Sequence, residues 1–265
     1  MDDLKPSDLN ILLVEPSKAQ RKVIEHELSR EGVHSIDFVG GKEEALEQID
    51  QICPDLVISS LHFADGSGLD LLREIRGQEE LEDLPFMLIT SESRRDRLEE
   101  FKQSGVVAIL PKPFTHENLS RAISSTLDLL TTQDLDLELY DPEELRVLVV
   151  DDSRLARKVI LKVLGNLGIT NMTEAADGSE AIQILGGEVF DLVVTDYNMP
   201  EVNGVELTEF IRGSETHSHV PVLMVTSEAN QTHLANVAQS GVNAMMDKPF
   251  EPESVRRLLA TMMND

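Results

Sequence analysis

The sequence predicts an α/β protein that contains two domains of the same fold, each built on a parallel sheet. Three observations predict this architecture: an internal repeat at a constant offset, short apolar runs within each copy, and amphipathic segments between those runs. The chain has 265 residues, and 41% of its residues are hydrophobic. It is therefore long and apolar enough for two domains that each bury a core.

The repeat places the two copies 136 residues apart without a gap. Five motifs recur at that offset, "RKVI", "DLV", "TSE", "QSGV" and "KPF", and they begin in the first copy at residues 21, 55, 90, 103 and 112. Two long copies indicate duplicated domains and not a solenoid. No Lys or Arg occurs between residues 122 and 145, so we expect a first domain over 1–127, an acidic linker over 128–144 and a second domain over 145–265.

The strands are predicted from runs that are apolar without alternation, which is typical of strands buried on both faces of a parallel sheet. These runs are residues 11–14, 56–59, 86–90 and 106–110 in the first copy, and residues 147–150, 192–195, 222–226 and 242–246 in the second. A weaker strand pattern at 35–39, with its counterpart at 172–175, completes five strands in each copy.

The helices are predicted from the apolar spacing of the segments between these runs. In residues 154–168, for example, Leu155, Val159 and Val163 share one face at i, i+4 and i+8, and Gly168 follows as a stop. Strands and helices that alternate in this way are joined by right-handed crossovers. They form an open sheet with helices on both faces.

The composition limits the partners and the compartment. A formal net charge of −26 disfavours binding to nucleic acid or to an anionic membrane surface. Cys53 is the only cysteine, so no internal disulfide can form, and we expect it to pack in the core. The first residues lack a signal-peptide pattern, and no apolar run is long enough to span a membrane. We therefore expect a cytoplasmic protein.

Polar side chains follow four of the predicted strands in the second copy. Asp151 and Asp152 follow the first strand, Asp196 follows the third, Thr226 ends the fourth, and Lys248 follows the fifth. Ligands of open parallel sheets bind at the carboxyl ends of the strands, so these groups are predicted to surround one crevice. Three carboxylates in one crevice repel one another unless they bind a cation. Oxygen ligands at an open site favour Mg²⁺.

This arrangement predicts phosphoryl chemistry. With Mg²⁺ held by Asp152 and Asp196, and by Asp151 directly or through water, Asp196 could act as a nucleophile and form an acyl phosphate. Lys248 would then bind a phosphoryl oxygen. The hydroxyl of Thr226 would move inward to the added charge and so report the modification.

Five motifs extend the pattern over nearly the whole second copy: "VLVVDDSRLARKVI", "EAADG", "DYNMPEVNG", "PVLMVTSEA" and "DKPF". Together they resemble a receiver domain of two-component response regulators, and most closely a CheY-like receiver. The resemblance implies a flavodoxin-like (βα)5 fold with a five-stranded parallel sheet of order 2-1-3-4-5. It also implies that a histidine kinase or a phosphotransfer protein phosphorylates Asp196, with Mg²⁺ as the cofactor.

The same resemblance implies individual roles. The Mg²⁺ ligands would be Asp151, Asp152, Asp196 and the backbone carbonyl of Asn198. Asn198 and Glu228 would tune the lifetime of the phosphoryl group, and the peptide bond between Lys248 and Pro249 would be cis. Met245 departs from the family pattern, which often has at this position an aromatic residue that moves with the Thr.

The first copy has lost the acids on which this chemistry depends. At the repeat offset of 136 residues, the three aspartates correspond to Glu15, Pro16 and Ser60 in the first copy. The Thr and the Lys of the second copy are retained as Thr90 and Lys112. Pro supplies no side-chain oxygen and Ser supplies no carboxylate. We therefore expect the first domain to be a degenerate receiver without a phosphoacceptor. We also hypothesise that Lys112 pairs with Glu15.

The function that these features predict is a response regulator that is phosphorylated on Asp196 and acts by binding a downstream protein, in a chemotaxis-like pathway or a phosphorelay. It would not be an enzyme beyond its own phosphorylation and dephosphorylation. Because the sequence ends at Asp265, we expect no output domain. A phosphate sink and a phosphorylation-independent adaptor are alternatives. A Mg²⁺-dependent phosphohydrolase is less favoured, because Asn198 stands where such enzymes carry a second Asp.

Overall fold

The computed structural model describes residues 4–92, 95–131, 140–227 and 240–264. The chain divides into two compact units, Met1–Thr131 and Thr132–Asp265. Among the described residues, no helix has the length and apolar character needed to cross a bilayer.

The first unit alternates strands and helices in the predicted order. Its elements are β1 (Asn10–Val14), α1 (Lys18–Arg30), β2 (Ser35–Val39), α2 (Lys42–Ile52), β3 (Leu56–Ser60), α3 (Gly68–Arg76), β4 (Phe86–Thr90), α4 (Arg95–Gln103), β5 (Ala108–Pro111) and α5 (His116–Leu130). The strands form one parallel sheet of order β2-β1-β3-β4-β5. Helix α5 extends three residues into the predicted linker. Residues 132–139 of that linker lie outside the described ranges, so the domain boundaries stay a prediction.

The second unit repeats this architecture. Its described elements are β6 (Arg146–Val150), α6 (Arg154–Asn166), β7 (Asn171–Ala175), α7 (Gly178–Leu185), β8 (Leu192–Asp196), α8 (Gly204–Gly213), β9 (Val222–Thr226), β10 (Ala244–Asp247) and α9 (Pro252–Asn264). The parallel sheet has the order β7-β6-β8-β9-β10. Both sheets therefore have the predicted order 2-1-3-4-5.

The burial of the strands explains why their sequences differ. Every residue of β3, β4, β8 and β9 is buried, because helices cover both faces of these inner strands. The outermost strands β2 and β7 are only partly buried, and their sequences are correspondingly mixed. The continuous apolar runs of the inner strands are thus buried as predicted. The runs at 106–110 and 242–246 instead belong to the outermost strands β5 and β10, which are only partly buried.

The buried face of α6 differs from the predicted one. The residues that pack inward are Ala156, Ile160, Val163 and Leu164. Leu155 and Val159 are only half-buried. The buried stripe through Ala156, Ile160 and Leu164 thus lies one residue later than the apolar spacing predicted, and Val163 is buried as predicted. Gly168, with φ +88°, ends this segment as predicted.

The last strand of each sheet begins two residues later than its apolar run. β5 starts at Ala108 and β10 starts at Ala244, whereas the runs start at 106 and 242. Val106 is buried in the core before the strand begins. Apolar residues indicate burial but not hydrogen bonding to the neighbouring strand. The apolar runs therefore predicted strand starts that are two residues too early.

Cys53 is exposed, so the expectation that it packs in the core is wrong. It is the C-cap of α2 and has a left-handed backbone conformation with φ 46°. The preceding Ile52, and not Cys53, packs against the core.

Candidate functional site

The fold of the second unit brings three carboxylates together at the carboxyl ends of neighbouring strands. Asp151 follows β6, and Asp196 is the last residue of β8, which pairs with β6. Carboxylate oxygens of Asp151, Asp152 and Asp196 lie within 4.8 Å of one another. Asp151 and Asp196 are fully buried, whereas Asp152 is exposed. The cluster is therefore open to solvent on one side.

Lys248 faces two of these acids from the loop after β10. Its Nζ donates to Oδ2 of Asp151 over 2.7 Å and lies 3.0 Å from Oδ1 of Asp196. The Lys248 side chain is only 3% exposed. One buried ammonium group thus faces two buried carboxylates, and the exposed Asp152 adds a third acid to the cluster.

The carboxylate of Asp196 is the least satisfied group in this cluster. Both of its oxygens are buried, and neither accepts a hydrogen bond of good geometry, although Oδ1 is in ion-pair contact with Lys248. Burial raises the pKa of Asp196 to about 7; the charge of Lys248 opposes this rise and the charge of Asp151 adds to it. Burial also raises the pKa of Asp151, against the opposing effect of Lys248. The remaining oxygens fit a small divalent cation such as Mg²⁺, which prefers carboxylate ligands.

A glycine sets how closely α8 approaches Asp196. A Cβ atom on Gly204, the first residue of α8, would lie 2.3 Å from the backbone carbonyl oxygen of Asp196. The amide of Gly204 donates to the carbonyl of Tyr197 over 3.0 Å. Only a glycine allows the helix to begin this close to the end of β8.

Thr226 and Lys248 are neighbours through the backbone. Thr226 is buried at the end of β9, and its carbonyl accepts a hydrogen bond from the amide of Lys248 over 2.7 Å. The peptide bond between Lys248 and Pro249 is cis, which confirms that prediction. Met245, the residue that departs from the family pattern, lies half-buried on β10 opposite Met224.

The two residues predicted to tune the lifetime of the phosphoryl group stay predictions. Asn198 is exposed and follows Asp196 by two residues. Glu228 lies outside the described residues.

Comparison with known proteins assigns the family. The description "Response regulator receiver domain" matches residues 11–124 and again residues 147–260. The chain belongs to this family. It is a two-component response regulator with tandem receiver domains, as the sequence predicts.

Curated relatives include chemotaxis proteins. The chain is 41% identical over 112 residues to the chemotaxis protein CheY of Pseudomonas aeruginosa, a match that covers 42% of this chain and 90% of the relative. It is 39% identical over 117 residues to CheY-3 of Vibrio cholerae, covering 44% of this chain and 90% of the relative. Among solved structures, CheY4 of Vibrio cholerae matches with 30% identity and a TM-score of 0.42, covering 44% of this chain and 98% of that one. Each match has the length of one receiver domain.

The first receiver domain uses its retained lysine differently. Lys112 Nζ donates to Oε2 of the buried Glu15 over 3.0 Å, which confirms the hypothesised pair. The hydroxyl of Ser60 donates to the same oxygen, and the amide of Ser17 donates to Oε1 over 2.9 Å. Burial by itself raises the pKa of Glu15, but the hydrogen bonds from Ser60 and Ser17 and the charge of Lys112 outweigh it, so the pKa is lowered.

The site of the first domain that corresponds to the acid cluster has one acid in place of three. Pro16 is exposed and offers no side-chain ligand atom, and Glu15 already accepts hydrogen bonds from three donors. A cavity of about 310 Å³ is lined by Glu15, Ser60, Thr90 and Lys112. Within the described residues, acids in metal-binding geometry occur only in the second domain.

Sequence reasoning missed two contacts. The first is the hydrogen bond from Ser60 to Glu15. The second is made by Arg157, which donates from Nη1 to the backbone carbonyl of Asp151 over 2.6 Å. A signal for the second was present, because "RKVI" places an arginine at the same point of both copies, six residues after the first acid.

Proposed function

We propose that Asp196 is the phosphoacceptor of the second receiver domain, and that a histidine kinase or a phosphotransfer protein phosphorylates it in a Mg²⁺-dependent reaction. The observation that carries the proposal is the buried Asp196 carboxylate, which accepts no hydrogen bond of good geometry and lies 3.0 Å from Lys248 within a cluster of acids. A carboxylate in this position is kept available for a cation and for a phosphoryl group.

In the proposed reaction, a carboxylate oxygen of Asp196 attacks the phosphorus of a phosphohistidine. The phosphorus–nitrogen bond breaks, the histidine nitrogen leaves with the bonding electron pair, and an acyl phosphate forms. Lys248 then pairs with a phosphoryl oxygen, and its existing ion pairs already place its Nζ beside the acceptor. Hydrolysis by water returns the carboxylate, at a rate that Asn198 and Glu228 would tune.

The residues that would hold Mg²⁺ are Asp151, Asp152, Asp196 and the backbone carbonyl of Asn198. When bound, Mg²⁺ offsets the negative charge of the phosphoryl oxygens and of the cluster.

The proposed output is a change of protein binding. The hydroxyl of Thr226 would turn toward the phosphoryl group, and a downstream protein would bind the altered surface of the second domain. In this account the protein is a switch and not an enzyme. Chemotaxis and a phosphorelay are the candidate processes, since the curated relatives are chemotaxis proteins. The cytoplasmic location stays a prediction from the sequence.

Labelling with a small phosphodonor tests this function. After incubation with acetyl phosphate and Mg²⁺, intact-mass spectrometry should show one phosphoryl group per chain, and none in EDTA. Asp196→Asn should abolish the label, whereas Ser60→Ala, the matched change in the first domain, should leave it intact. Full labelling of the Asp196→Asn variant would refute the proposal.

A pull-down identifies the protein that reads the phosphorylated state. Protein treated with Mg²⁺ and beryllofluoride should retain a partner that untreated protein and treated Asp196→Asn do not. If all three samples retain the same partners equally, the chain acts as an adaptor and not as a switch.

A further inference from the structure

The turn that carries the first two acids is held by an arginine to which the reaction above assigns no role. Arg157 is the fourth residue of α6, and its Nη1 donates to the backbone carbonyl of Asp151 over 2.6 Å. Its Nε donates to Oε2 of Glu174 on β7 over 2.9 Å. The Arg157 side chain is 13% exposed. It is thus a mostly buried cation that is fixed on two sides.

The contact acts on the peptide between the two acids. Asp151 is also held by its own amide, which donates to the carbonyl of Ala175 over 3.3 Å, and by its carboxylate, which accepts from the amide of Ser153 over 2.8 Å and from Lys248 over 2.7 Å. Asp152, in contrast, is exposed. Because the peptide unit is planar, a hydrogen bond on the carbonyl of Asp151 also fixes the amide nitrogen and the Cα atom of Asp152.

We propose that Arg157 is a positioning residue of the metal site. By holding the carbonyl of Asp151, it fixes the direction from which the carboxylate of Asp152 reaches the cluster, and Glu174 in turn fixes Arg157. This inference rests on the proposed role of the cluster as a Mg²⁺ site. Groups that orient the ligands of a metal influence its affinity although they do not touch it.

The first receiver domain supplies the contrast. Arg21 makes the same main-chain contact there, because its Nε donates to the carbonyl of Glu15. The position of Glu174, opposite Val149, is taken in the first domain by Phe38, opposite Leu13. The second domain thus has both the acid cluster and the Glu174 carboxylate that pairs with the arginine. The first domain has neither.

Isothermal titration of the full chain with Mg²⁺ tests the role of Arg157. Arg157→Gln should weaken Mg²⁺ binding about 10-fold, because changes in groups that orient metal ligands typically have effects of at least that size. Arg157→Lys, which keeps a donor and the charge, should restore part of the affinity. Arg21→Gln is the matched control and should leave it unchanged. Urea unfolding in EDTA reports how far each variant is destabilised without metal.

Two results would overturn the positioning role. One is an unchanged Mg²⁺ affinity in Arg157→Gln, and the other is an equal loss of affinity in Arg21→Gln. If Arg157→Gln does not fold, Glu174→Ala replaces it as the test: the arginine then loses its anchor, and affinity should fall a few-fold. An unchanged affinity in that variant would also overturn the inference. A parent chain that binds no Mg²⁺ would instead refute the proposed function itself.

Discussion

At the residue scale, the two receiver domains differ in how many carboxylates face one ammonium group. In the second domain Asp151 and Asp196 face Lys248, Asp152 lies in the same acid cluster, and the buried Asp196 accepts no hydrogen bond of good geometry. In the first domain Glu15 alone faces Lys112, and it also accepts hydrogen bonds from Ser60 and Ser17. The arrangement in the first domain pairs one acid with one lysine, whereas the second domain has more acids than Lys248 can pair with, an excess that a bound cation would offset.

Asp196→Asn is expected to stabilise the metal-free protein, and to do so more at pH 8 than at pH 5. Burial raises the pKa of Asp196 from 3.8 to about 7, so ionisation increasingly opposes folding as the pH rises through this range. Removing the charge should add about 1–4 kcal/mol to the free energy of unfolding at pH 8, since one pKa unit corresponds to about 1.4 kcal/mol. Urea unfolding in EDTA measures this gain. A variant less stable than the parent at pH 8 would contradict the electrostatic account.

Glu15→Gln is expected to destabilise the protein by about 1–3 kcal/mol at pH 7, because Lys112 would lose its charged partner in a partly buried place. The pKa of Glu15 is lowered from 4.5 in the folded state, so its contribution is present above that pH. It is lost as the pH falls through the lowered value, and parent and variant should converge there. Ser60→Ala, which removes only one of the donors, should have a smaller effect in the same unfolding assay. Equal stability of Glu15→Gln and parent at pH 7 would count against the pair.

At the element scale, the position of the acids depends on where strands end and helices begin. Helix α8 starts so close to the end of β8 that a Cβ atom on Gly204 would lie 2.3 Å from the Asp196 carbonyl oxygen. Gly68 stands in the same relation to Ser60 in the first domain, at 2.6 Å. The close approach is therefore also present in the domain that has lost the acids.

Gly204→Ala is expected to destabilise the protein by about 1–3 kcal/mol, because the helix or the strand end must shift to admit the methyl group. The same shift should reduce phosphoryl labelling of Asp196. Gly213→Ala, at the other end of α8, has no atom within 4 Å of the added Cβ, so its effect should stay within about 1 kcal/mol. Thermal unfolding and labelling measure both variants. Indistinguishable results for the two would show that the close approach does not matter.

The strands and their order in the sheet could be predicted from the sequence, because a continuous apolar run indicates a buried strand. Both sheet orders follow the receiver pattern, and the repeat offset led to the pair of Lys112 with Glu15. The first residues of β5 and β10 could not be predicted from apolar character. Val106, for example, is buried in the core although the strand begins only at Ala108. The anchoring of Arg157 by Glu174 was also missed, because it joins residues 17 positions apart on different elements. Such a pairing depends on strand register.

At the scale of the whole molecule, the duplication has kept the architecture and changed the chemistry. Both receiver domains retain the parallel sheet of order 2-1-3-4-5 and a cis peptide bond after their lysine. Only the second, among the described residues, combines three acids in metal-binding geometry. The molecule thus joins one domain with a cluster of three acids to one in which the single corresponding acid, Glu15, is paired with Lys112 and Ser60.

Mg²⁺ is expected to stabilise the whole chain through the second domain alone. At a concentration 100 times the dissociation constant, a ligand that binds only the folded state adds about 2.7 kcal/mol to the free energy of unfolding. Asp152→Asn should reduce this gain, whereas Ser60→Ala should not. NaCl at matched ionic strength is the control, because a chain of net charge −26 responds to screening alone. A gain that NaCl reproduces in full would contradict a specific site.

The most direct test of the central claim is a crystal structure of the full chain with Mg²⁺ and beryllofluoride, an analogue of the phosphoryl group. We expect beryllofluoride on a carboxylate oxygen of Asp196 and in contact with Lys248, with Mg²⁺ bound by Asp151, Asp152 and Asp196. The site around Glu15 and Ser60 should be unchanged. A structure with Asp196 unmodified and no metal among the three aspartates, or with the analogue on Ser60, would contradict the account.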